Sequence, residues 1–357
     1  MVAQQRDMET IRASLSEWLV GKLPDADDVR LSSLTKPGAG FSNETLLADL
    51  AWRERGEERA ERLVFRLEPR DVRVFPEYDL ARQVRVMRCL IDTGIAVPTV
   101  RWLEEDQGVV GRAFYVMDRI EGEVPPDVPF YHTTGVLADA TPDAREEMWW
   151  RGVETLARIH SVDWQALGLS FLRVPGAGTD PLDRQIDYYE SFLRWAQQDE
   201  PEPVLDAALR WLREHRFTPA RVALCWGDAR LPNIIFRDND VAGALDWEMA
   251  FLGDPEADLA WWLFLDWHHS EGHGVARLPG LPDRNETVCR YEELTARKTE
   301  HLFYHEVMAG LRFGVIMVSL YRQLRRLSAP AQSPGNGLDS PITRRLAALL
   351  DIPFQAS

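Results

Sequence analysis

The sequence predicts an α+β fold of two lobes, with an antiparallel sheet in residues 1–118 and mostly helices in residues 119–357. Short apolar runs that alternate with polar residues, separated by turns, dominate the first third of the chain. After Gly122, apolar residues and tryptophans recur at helical spacing instead. A length of 357 residues with 45% hydrophobic residues is sufficient for two packed lobes.

The N-terminal lobe is predicted to begin with a helix over residues 7–23, in which Ile11, Leu15 and Leu19 share one face. The acidic residues 25–28 are expected to mark the exit from this helix. A strand-turn-strand and three further strands then complete a five-stranded antiparallel sheet, with one helix inserted. The strand-turn-strand is expected at 34–47, the helix at 77–93 and the strands at 63–69, 100–104 and 113–117.

The turn of the 34–47 segment contains Gly38 and Gly40, followed by Ser42 and Asn43. Glycine lets backbone N–H groups approach an anion closely, and the Ser and Asn side chains can add hydrogen bonds. A glycine-rich hairpin is more often only a hairpin, so this segment alone is a weak signal. It lacks the Gly-Lys-Ser/Thr of a P-loop and the ensuing helix of a dinucleotide fingerprint.

The second lobe is predicted to be helical because its apolar residues recur every three or four positions. Met148, Trp149, Val153 and Leu156 form such a stripe. A linker rich in proline, serine and glycine follows at 328–340, and then a short helix. The other helices are expected at 142–160, 183–197, 204–216 and 291–327.

The charge of the chain limits its partners. A net charge of −16 argues against a general binder of nucleic acid or anionic membrane, because phosphates are held by basic patches. It suits a cationic substrate, although most of these acidic residues are expected simply to keep the protein soluble. We therefore expect no nucleic-acid partner.

The cysteines and the apolar segments predict the cellular location of the protein. Cys89, Cys225 and Cys289 are widely spaced and include no Cys-x-x-Cys pair, which predicts neither a disulfide framework nor a zinc site. No secretory signal and no membrane-spanning stretch is expected. The protein is therefore predicted to be cytoplasmic, with no membrane partner. Its oligomeric state does not follow from the sequence.

One stretch concentrates the candidate chemistry. Apolar runs at 222–226 and 234–236 flank a polar loop, and a turn at 238–240 leads into a third run at 241–245. This pattern predicts a strand, a loop and a hairpin. It places Asp228 and Asn233 at the two ends of the loop and returns Asp246 to the same place.

Two carboxylates and an amide in this arrangement suit phosphoryl transfer, which depends on positioning and charge neutralisation. Asp228 would orient a substrate hydroxyl, while Asn233 and Asp246 would hold the Mg²⁺ that bridges the nucleotide phosphates. Each residue taken singly is more often a turn residue or a helix cap. Their common spacing makes the catalytic interpretation stronger than that alternative.

The same residues resemble the His-Gly-Asp-x-x-x-x-Asn loop of the aminoglycoside phosphotransferase and choline kinase superfamily. Residues 226–233 have the sequence WGDARLPN, with Trp226 in the position of the usual histidine. The resemblance implies a protein-kinase-like fold with ATP bound between the lobes together with Mg²⁺. It continues in LDWE at 245–248, GDP at 253–255 and DLA at 258–260.

The resemblance also assigns residues to the nucleotide. The turn with Gly38, Gly40, Ser42 and Asn43 falls where the family covers the nucleotide. Arg66 stands where kinases keep a lysine on the α and β phosphates, and its charge is retained. Its usual glutamate partner is replaced by Gln83, with Asp79 as a possible substitute. The adenine is expected to meet the Asp118 carbonyl, the Ile120 N–H and the side chain of Met117.

Further residues are given roles by the same resemblance. His160 and Asp163 are expected to brace the catalytic loop. Arg230 is a candidate to stabilise the transferring phosphoryl group, with a surface ion pair as an equally weighted alternative. The cluster of Asp266, His268, His269, Glu271 and His273 runs into a glycine-rich stretch at 272–280, which is typical of an exposed loop. It is predicted to be a solvated loop near the acceptor, and not a metal site.

The predicted function is transfer of the γ-phosphoryl group of Mg·ATP to a hydroxyl of a small-molecule acceptor. The family favours an aminoglycoside. Arg66 and the Trp-Gly-Asp form of the loop resemble more closely the kinase-like domains attached to acyl-CoA dehydrogenases, which favours a hydroxyacyl or other metabolite. The departures at Arg66, Gln83 and Trp226 leave a third possibility, a nucleotide-binding pseudokinase that acts by interaction.

Overall fold

The structure is a computed structural model and describes residues 2–37, 43–70, 72–176, 178, 180–198, 200–327 and 339–353. The chain forms two compact units. The first comprises Met1–Asp71, Tyr78–Arg88 and Pro98–Ile120, and the second comprises Val72–Glu77, Cys89–Val97 and Glu121–Ser357.

The first unit contains a five-stranded antiparallel sheet. Its strands are β1 (Ala26–Leu31), β2 (Glu44–Glu54), β3 (Glu57–Leu67), β4 (Val100–Glu104) and β5 (Phe114–Asp118). Their order is β1-β2-β3-β5-β4, and Arg55 and Gly56, both with positive φ, form the tight turn of the β2–β3 hairpin. The predicted number of strands and their antiparallel pairing are therefore confirmed, and four of the five strands lie where they were predicted.

The first strand lies where the sequence predicted only an acidic exit from a helix. Asp28 has positive φ, and the register with β2 shifts between Asp27 and Arg30. This bulge breaks the alternation by which a strand is recognised, so β1 was missed. The predicted strand that begins at residue 34 is reduced to an isolated bridge between Thr35 and Leu47.

Two helices accompany this sheet. The first, α1 (Val2–Lys22), places Ile11, Leu15 and Leu19 in one hydrophobic core with residues of the sheet, as predicted. The second, α2 (Leu80–Leu90), is shorter than expected. Asp79 Oδ1 accepts the N–H of Arg82 at its first turn, which stops the helix from starting earlier.

The second unit is mostly helical. Its predicted helix at 291–327 is two helices, because Ala296 takes a left-handed conformation that ends the first of them. Two helices were not predicted: one has only four residues, and the other is apolar on nearly every side and gives no stripe. The helices are the unpredicted α3 (Val136–Asp139), α4 (Pro142–Ser161), α5 (Pro181–Gln197), α6 (Pro203–Glu214), the unpredicted α7 (Glu256–His269), α8 (Arg284–Thr295), α9 (Leu302–Leu327) and α10 (Pro341–Leu350).

Helix α9 contradicts the expectation that no segment is long and apolar enough to span a membrane. Leu302–Arg326 meets that criterion by length and composition, but 78% of its apolar window is buried inside the protein. It packs against α5, α6, α7 and α10. A buried position of this kind explains its apolar character, because a core helix is apolar all round.

Four short strands complete the second unit and position the candidate site. β6 (Ala223–Cys225) pairs with β9 (Phe251–Gly253), and β7 (Ile234–Arg237) pairs with β8 (Asp240–Ala244). The predicted strand, loop and hairpin are therefore present. Asp238 and Asn239 form the hairpin turn, both with positive φ.

Candidate active site

The candidate catalytic loop connects β6 to β7. Gly227 has φ +87°, and a Cβ built there would lie 2.0 Å from the backbone oxygen of Met249. Only glycine fits this position, since both the conformation and the space exclude a side chain. The loop then ends in a short 3₁₀ turn at Leu231–Asn233.

The carboxylate of Asp228 is nearly buried and accepts three side-chain hydrogen bonds. Its Oδ2 accepts from Arg230 Nε at 2.9 Å and from Asn233 Nδ2 at 2.7 Å. Its Oδ1 accepts from Trp261 Nε1 at 2.9 Å. A carboxylate has about four acceptor sites, so one site on Oδ1 is left for a substrate hydroxyl.

The hydrogen-bond partners of Asn233 determine which way its side-chain amide faces. Its Nδ2 donates both to the backbone carbonyl of Asp228, at 2.9 Å, and to the Asp228 carboxylate. Both neighbours are acceptors only, so the amide nitrogen must face them. The amide oxygen consequently points away from Asp228 and is available as a ligand for a cation.

Asp246 is brought beside this loop through the peptide of Leu245. The Leu245 N–H donates to the carbonyl of Asn233 at 2.8 Å, and the Leu245 carbonyl accepts from Trp226 Nε1 at 2.8 Å. Asp246 itself has φ +59°, a conformation that is uncommon outside special sites. Both ends of the catalytic loop therefore fix the residue that precedes Asp246.

The underside of the loop is held by a second buried carboxylate, Asp258 of α7. It accepts the backbone N–H groups of Trp226 at 2.6 Å and Gly227 at 2.9 Å. His160 Nε2 lies 3.1 Å from Asp258, and its Nδ1 lies 2.6 Å from the Tyr291 hydroxyl. Asp258 only accepts, so Nε2 donates to it, and in the neutral imidazole Nδ1 accepts from Tyr291.

His160 therefore braces the loop as predicted, although through Asp258. Asp163 does not: its Oδ1 accepts the N–H groups of Gln165 and Ala166 in a local turn, so that prediction is wrong. His160, Cys225 and Asp258 place potential metal ligands within 4.8 Å of one another. Both nitrogens of His160 are already hydrogen-bonded, and burial raises the pKa of the Cys225 thiol well above its usual range. The cluster is therefore a hydrogen-bond network.

A buried arginine of α9 supports the loop from another direction. Arg312 Nη2 donates to the carbonyl of Gly227 at 2.6 Å, and its guanidinium lies 4.5 Å from the ring centre of Trp261. Trp261 is the residue that donates to Asp228. Neither contact could be found from the sequence, since Arg312 lies 85 residues from Gly227.

Arg230 is largely buried and connects two carboxylates, which excludes the alternative of a surface ion pair. Its Nε donates to Asp228, and its Nη1 donates to Asp127. Burial lowers the pKa of Arg230, but the charges of Asp228 and Asp127 outweigh this and raise it. Burial alone would raise the pKa of Asp127, yet Arg230 and His269 lower it to about 2. Asp127 was not identified from the sequence.

The residues predicted to hold a nucleotide belong to the first unit. Arg66 Nη1 donates to Thr45 Oγ1 at 2.9 Å, across the β2–β3 ladder. Asn43 and Met117 are buried, and Asp118 accepts from Arg101 Nε at 2.6 Å. Among the described residues the Ile120 N–H makes no hydrogen bond. Gly38, Gly40 and Ser42 lie outside the described residues.

The prediction of a solvated loop at residues 266–273 is wrong for the first half of this segment. Asp266, His268 and His269 belong to α7 and are buried, whereas Glu271 and His273 are exposed. Asp266 accepts from Tyr131, His132 and Arg277. Asp266 thus anchors Tyr131, His132 and Arg277 to α7. The first half of the cluster is buried because α7 is a core helix.

Comparisons with known proteins decide the family. The phosphotransferase enzyme family matches residues 33–285, more than half of the chain. The chain belongs to this family. The matched residues include the whole catalytic loop and the β7–β8 hairpin.

A crystal structure of a Ralstonia eutropha protein, provisionally named as an aminoglycoside phosphotransferase, is similar over 95% of both chains, with 25% identity and a TM-score of 0.67. A ternary complex of the phosphotransferase APH(4)-Ia with ADP and hygromycin B covers 95% of this chain and 98% of its own, with 15% identity and a TM-score of 0.56, and supports the fold. Together, the family match and the structural similarity place the chain in the phosphotransferase family with a kinase-like fold.

A curated relative has a different name. Acyl-CoA dehydrogenase family member 10 of Mus musculus is 33% identical over 224 residues, which are 62% of this chain and 19% of the mouse protein. The chain therefore spans about a fifth of the length of that relative. This similarity agrees with the resemblance to kinase-like domains attached to acyl-CoA dehydrogenases.

Proposed function

We propose that this phosphotransferase moves the γ-phosphoryl group of Mg·ATP to a hydroxyl of a small molecule. One observation carries the proposal. Asn233 turns its amide nitrogen toward Asp228 and its amide oxygen away, while Leu245 places Asp246 beside it. The loop thus separates a carboxylate suited to proton acceptance from oxygen ligands suited to a cation.

The ligands present fit Mg²⁺. Mg²⁺ prefers oxygen ligands and is usually held by one or two carboxylates together with substrate phosphates. The Asp246 carboxylate and the Asn233 amide oxygen would hold it. When bound, the cation neutralises negative charge on the phosphates. The amide orientation of Asn233 supports this assignment, because a nitrogen facing outward could not serve as a ligand.

The residues of the loop then have distinct tasks. Asp228 accepts the proton of the acceptor hydroxyl on the remaining site of Oδ1. The acceptor oxygen forms a bond to the γ-phosphorus as the bond from that phosphorus to the β,γ-bridging oxygen breaks, which leaves ADP. Arg230, whose guanidinium touches Asp228, is positioned to stabilise charge on the transferring phosphoryl group.

The nucleotide would be held by residues of the first unit. Arg66 offers a permanent positive charge to the α and β phosphates, and guanidinium can bind phosphate oxygens in pairs. The Ile120 N–H, together with the Asp118 carbonyl, would pair with the adenine, and Met117 would contact its ring. Gly38, Gly40, Ser42 and Asn43 would cover the phosphates.

For the acceptor we favour a hydroxyacyl compound, such as a hydroxyacyl thioester, over an aminoglycoside. The mouse relative is named acyl-CoA dehydrogenase family member 10. In addition, Asp127, which lies beside Asp228, is already paired with Arg230. A site for a polycation would be expected to leave such a carboxylate unpaired.

The experiment is transfer of label from γ-labelled ATP, with and without Mg²⁺, to a panel of hydroxyacyl-CoA compounds, aminoglycosides, choline and sugars. Asp246→Asn serves as the metal-ligand variant and is expected to lower transfer by about 10²-fold. Label on a hydroxyacyl compound supports the full proposal, and label on an aminoglycoside overturns the acceptor assignment only. Binding of ATP without transfer to any acceptor, at a hydrolysis rate equal to that of Asp228→Asn, would favour the pseudokinase.

A further inference from the structure

The segment that carries Asp127 is fixed at its first end by a backbone bridge. Glu123 and Phe236 exchange two hydrogen bonds of 2.8 Å each, which ties the segment to β7. Gly122 permits this approach: it has φ +145°, and a Cβ there would lie 2.4 Å from the Phe236 carbonyl oxygen. The segment therefore starts from the same hairpin that follows the catalytic loop.

The second end of the segment is fixed by side chains. The Tyr131 hydroxyl donates to Asp266 Oδ1 at 2.7 Å, and His132 Nε2 lies 3.2 Å from the same oxygen. Arg277 Nε donates to the other oxygen of Asp266 at 2.7 Å. Tyr131, His132 and Asp266 are all buried, so this attachment is rigid.

Asp127 lies between the two attachments and reaches the catalytic loop. It accepts from Arg230 Nη1, and its Oδ1 lies 3.3 Å from His269 Nε2. Its side chain is 28% exposed and that of Arg230 is 19% exposed. Arg230 is thus bound at Nε by Asp228 and at Nη1 by Asp127. Because a guanidinium is planar, two carboxylates on different nitrogens fix its plane.

The position of this guanidinium plane determines which carboxylate oxygen of Asp228 remains available to the acceptor hydroxyl. Arg230 and Asn233 together fill the two acceptor sites of Oδ2. Trp261 fills only one site of Oδ1. If Arg230 rotated away from Oδ2, either oxygen could meet a hydroxyl, and the carboxylate would lose one of its three fixed donors.

We propose that Asp127 is a positioning residue for phosphoryl transfer, which holds Arg230 on Asp228 Oδ2 so that Oδ1 faces the acceptor hydroxyl. The inference rests on the proposed function of the loop. It differs from a purely structural role, in which Asp127 would only neutralise a buried arginine and would affect folding and not turnover.

A double-mutant cycle between Asp127→Asn and Arg230→Gln tests the proposal, because a residue that acts through another has no effect once that other is removed. Asp127→Asn is expected to lower kcat by roughly 10- to 100-fold, with KM for ATP changed by less than about threefold. In the Arg230→Gln background the same substitution should lower kcat by less than about twofold.

The matched control is Asp206→Asn. Asp206 pairs with Arg194 at 2.7 Å, and its side chain is 23% exposed, close to the value for Asp127. This variant is expected to leave kcat unchanged. Thermal melting of every variant separates loss of turnover from loss of folding, and Asp127→Ser replaces Asp127→Asn in the cycle if the latter does not fold.

A spectroscopic measurement reports on the contact without activity. The Nε–H resonance of Arg230, assigned through Arg230→Lys, should exchange slowly with solvent in the wild type and at least about tenfold faster in Asp127→Asn. An unchanged exchange rate overturns the proposal.

The outcomes distinguish this inference from the proposed function. A wild-type protein that transfers phosphate to no acceptor overturns the proposed function and this inference with it. An active wild type in which Asp127→Asn remains equally harmful after Arg230→Gln overturns only the inference. If His269→Gln then reproduces the loss, Asp127 acts through His269 instead.

Discussion

The two sides of the catalytic loop use carboxylates in opposite ways. On the buried side, formed by Asp258, His160 and Tyr291, the carboxylate accepts two backbone N–H groups and a histidine. On the open side, formed by Asp228, Arg230 and Asp127, two carboxylates share one guanidinium and keep partial access to solvent.

This difference indicates that the two sides of the loop have different functions. A fully buried carboxylate that accepts backbone donors holds a fixed shape, because those donors would be left unsatisfied without it. A partly exposed carboxylate that retains an unused acceptor site can accept a proton from a hydroxyl. Changes on the buried side should therefore act mainly on stability, and changes on the open side should also act on turnover.

The largest effect on stability is expected from Asp258→Asn. The amide offers one acceptor oxygen instead of two and directs N–H groups at existing donors, which should lower the free energy of unfolding by about 3–5 kcal/mol. Chemical denaturation followed by tryptophan fluorescence measures it. A loss below about 1 kcal/mol would show that Asp258 does not hold the loop.

A smaller effect is expected from Trp226→Phe, which removes the donor to the Leu245 carbonyl. The lost hydrogen bond and the cavity together should cost about 2–3 kcal/mol. The Mg²⁺ concentration needed for half-maximal transfer should also rise, since Leu245 positions Asp246. If Mg²⁺ dependence is unchanged in the folded variant, Trp226 serves packing alone.

The smallest effect concerns Asp127 and depends on pH. Its pKa is lowered in the folded state from 3.8 to about 2, so its ionised form stabilises the fold above pH 4. This contribution, about 2 kcal/mol, is lost as pH falls from about 4 to about 2. The difference in unfolding free energy between wild type and Asp127→Asn should shrink over that range. A difference that stays constant from pH 5 to pH 2 would contradict the assigned ion pair.

The same comparison shows what the sequence could predict. Asp228 and Asn233 are five residues apart in one loop, and a tight hairpin returns Asp246, so local geometry was sufficient to bring these three together. Four strands of the sheet, β2 to β5, and helix α4 also followed from local periodicity. The family resemblance rested on the same short-range spacing and was confirmed.

The remaining features depend on contacts between distant segments. Asp127 reaches Arg230 from 103 positions earlier, and Asp258 reaches the loop from 31 to 32 positions later. No local pattern marks such residues. Helix α7 was missed for a related reason: it is buried on nearly all sides, so it lacks the polar face by which an amphipathic helix is recognised.

The most direct test of the account is the rate of phosphoryl transfer to the best acceptor by wild type and Asp228→Asn under single-turnover conditions. The account predicts a loss of about 10³-fold or more for the folded variant, because the amide cannot accept the hydroxyl proton. Folded Asp228→Asn that transfers phosphate within about threefold of the wild-type rate would show that Asp228 is not the base, and would contradict the assigned site.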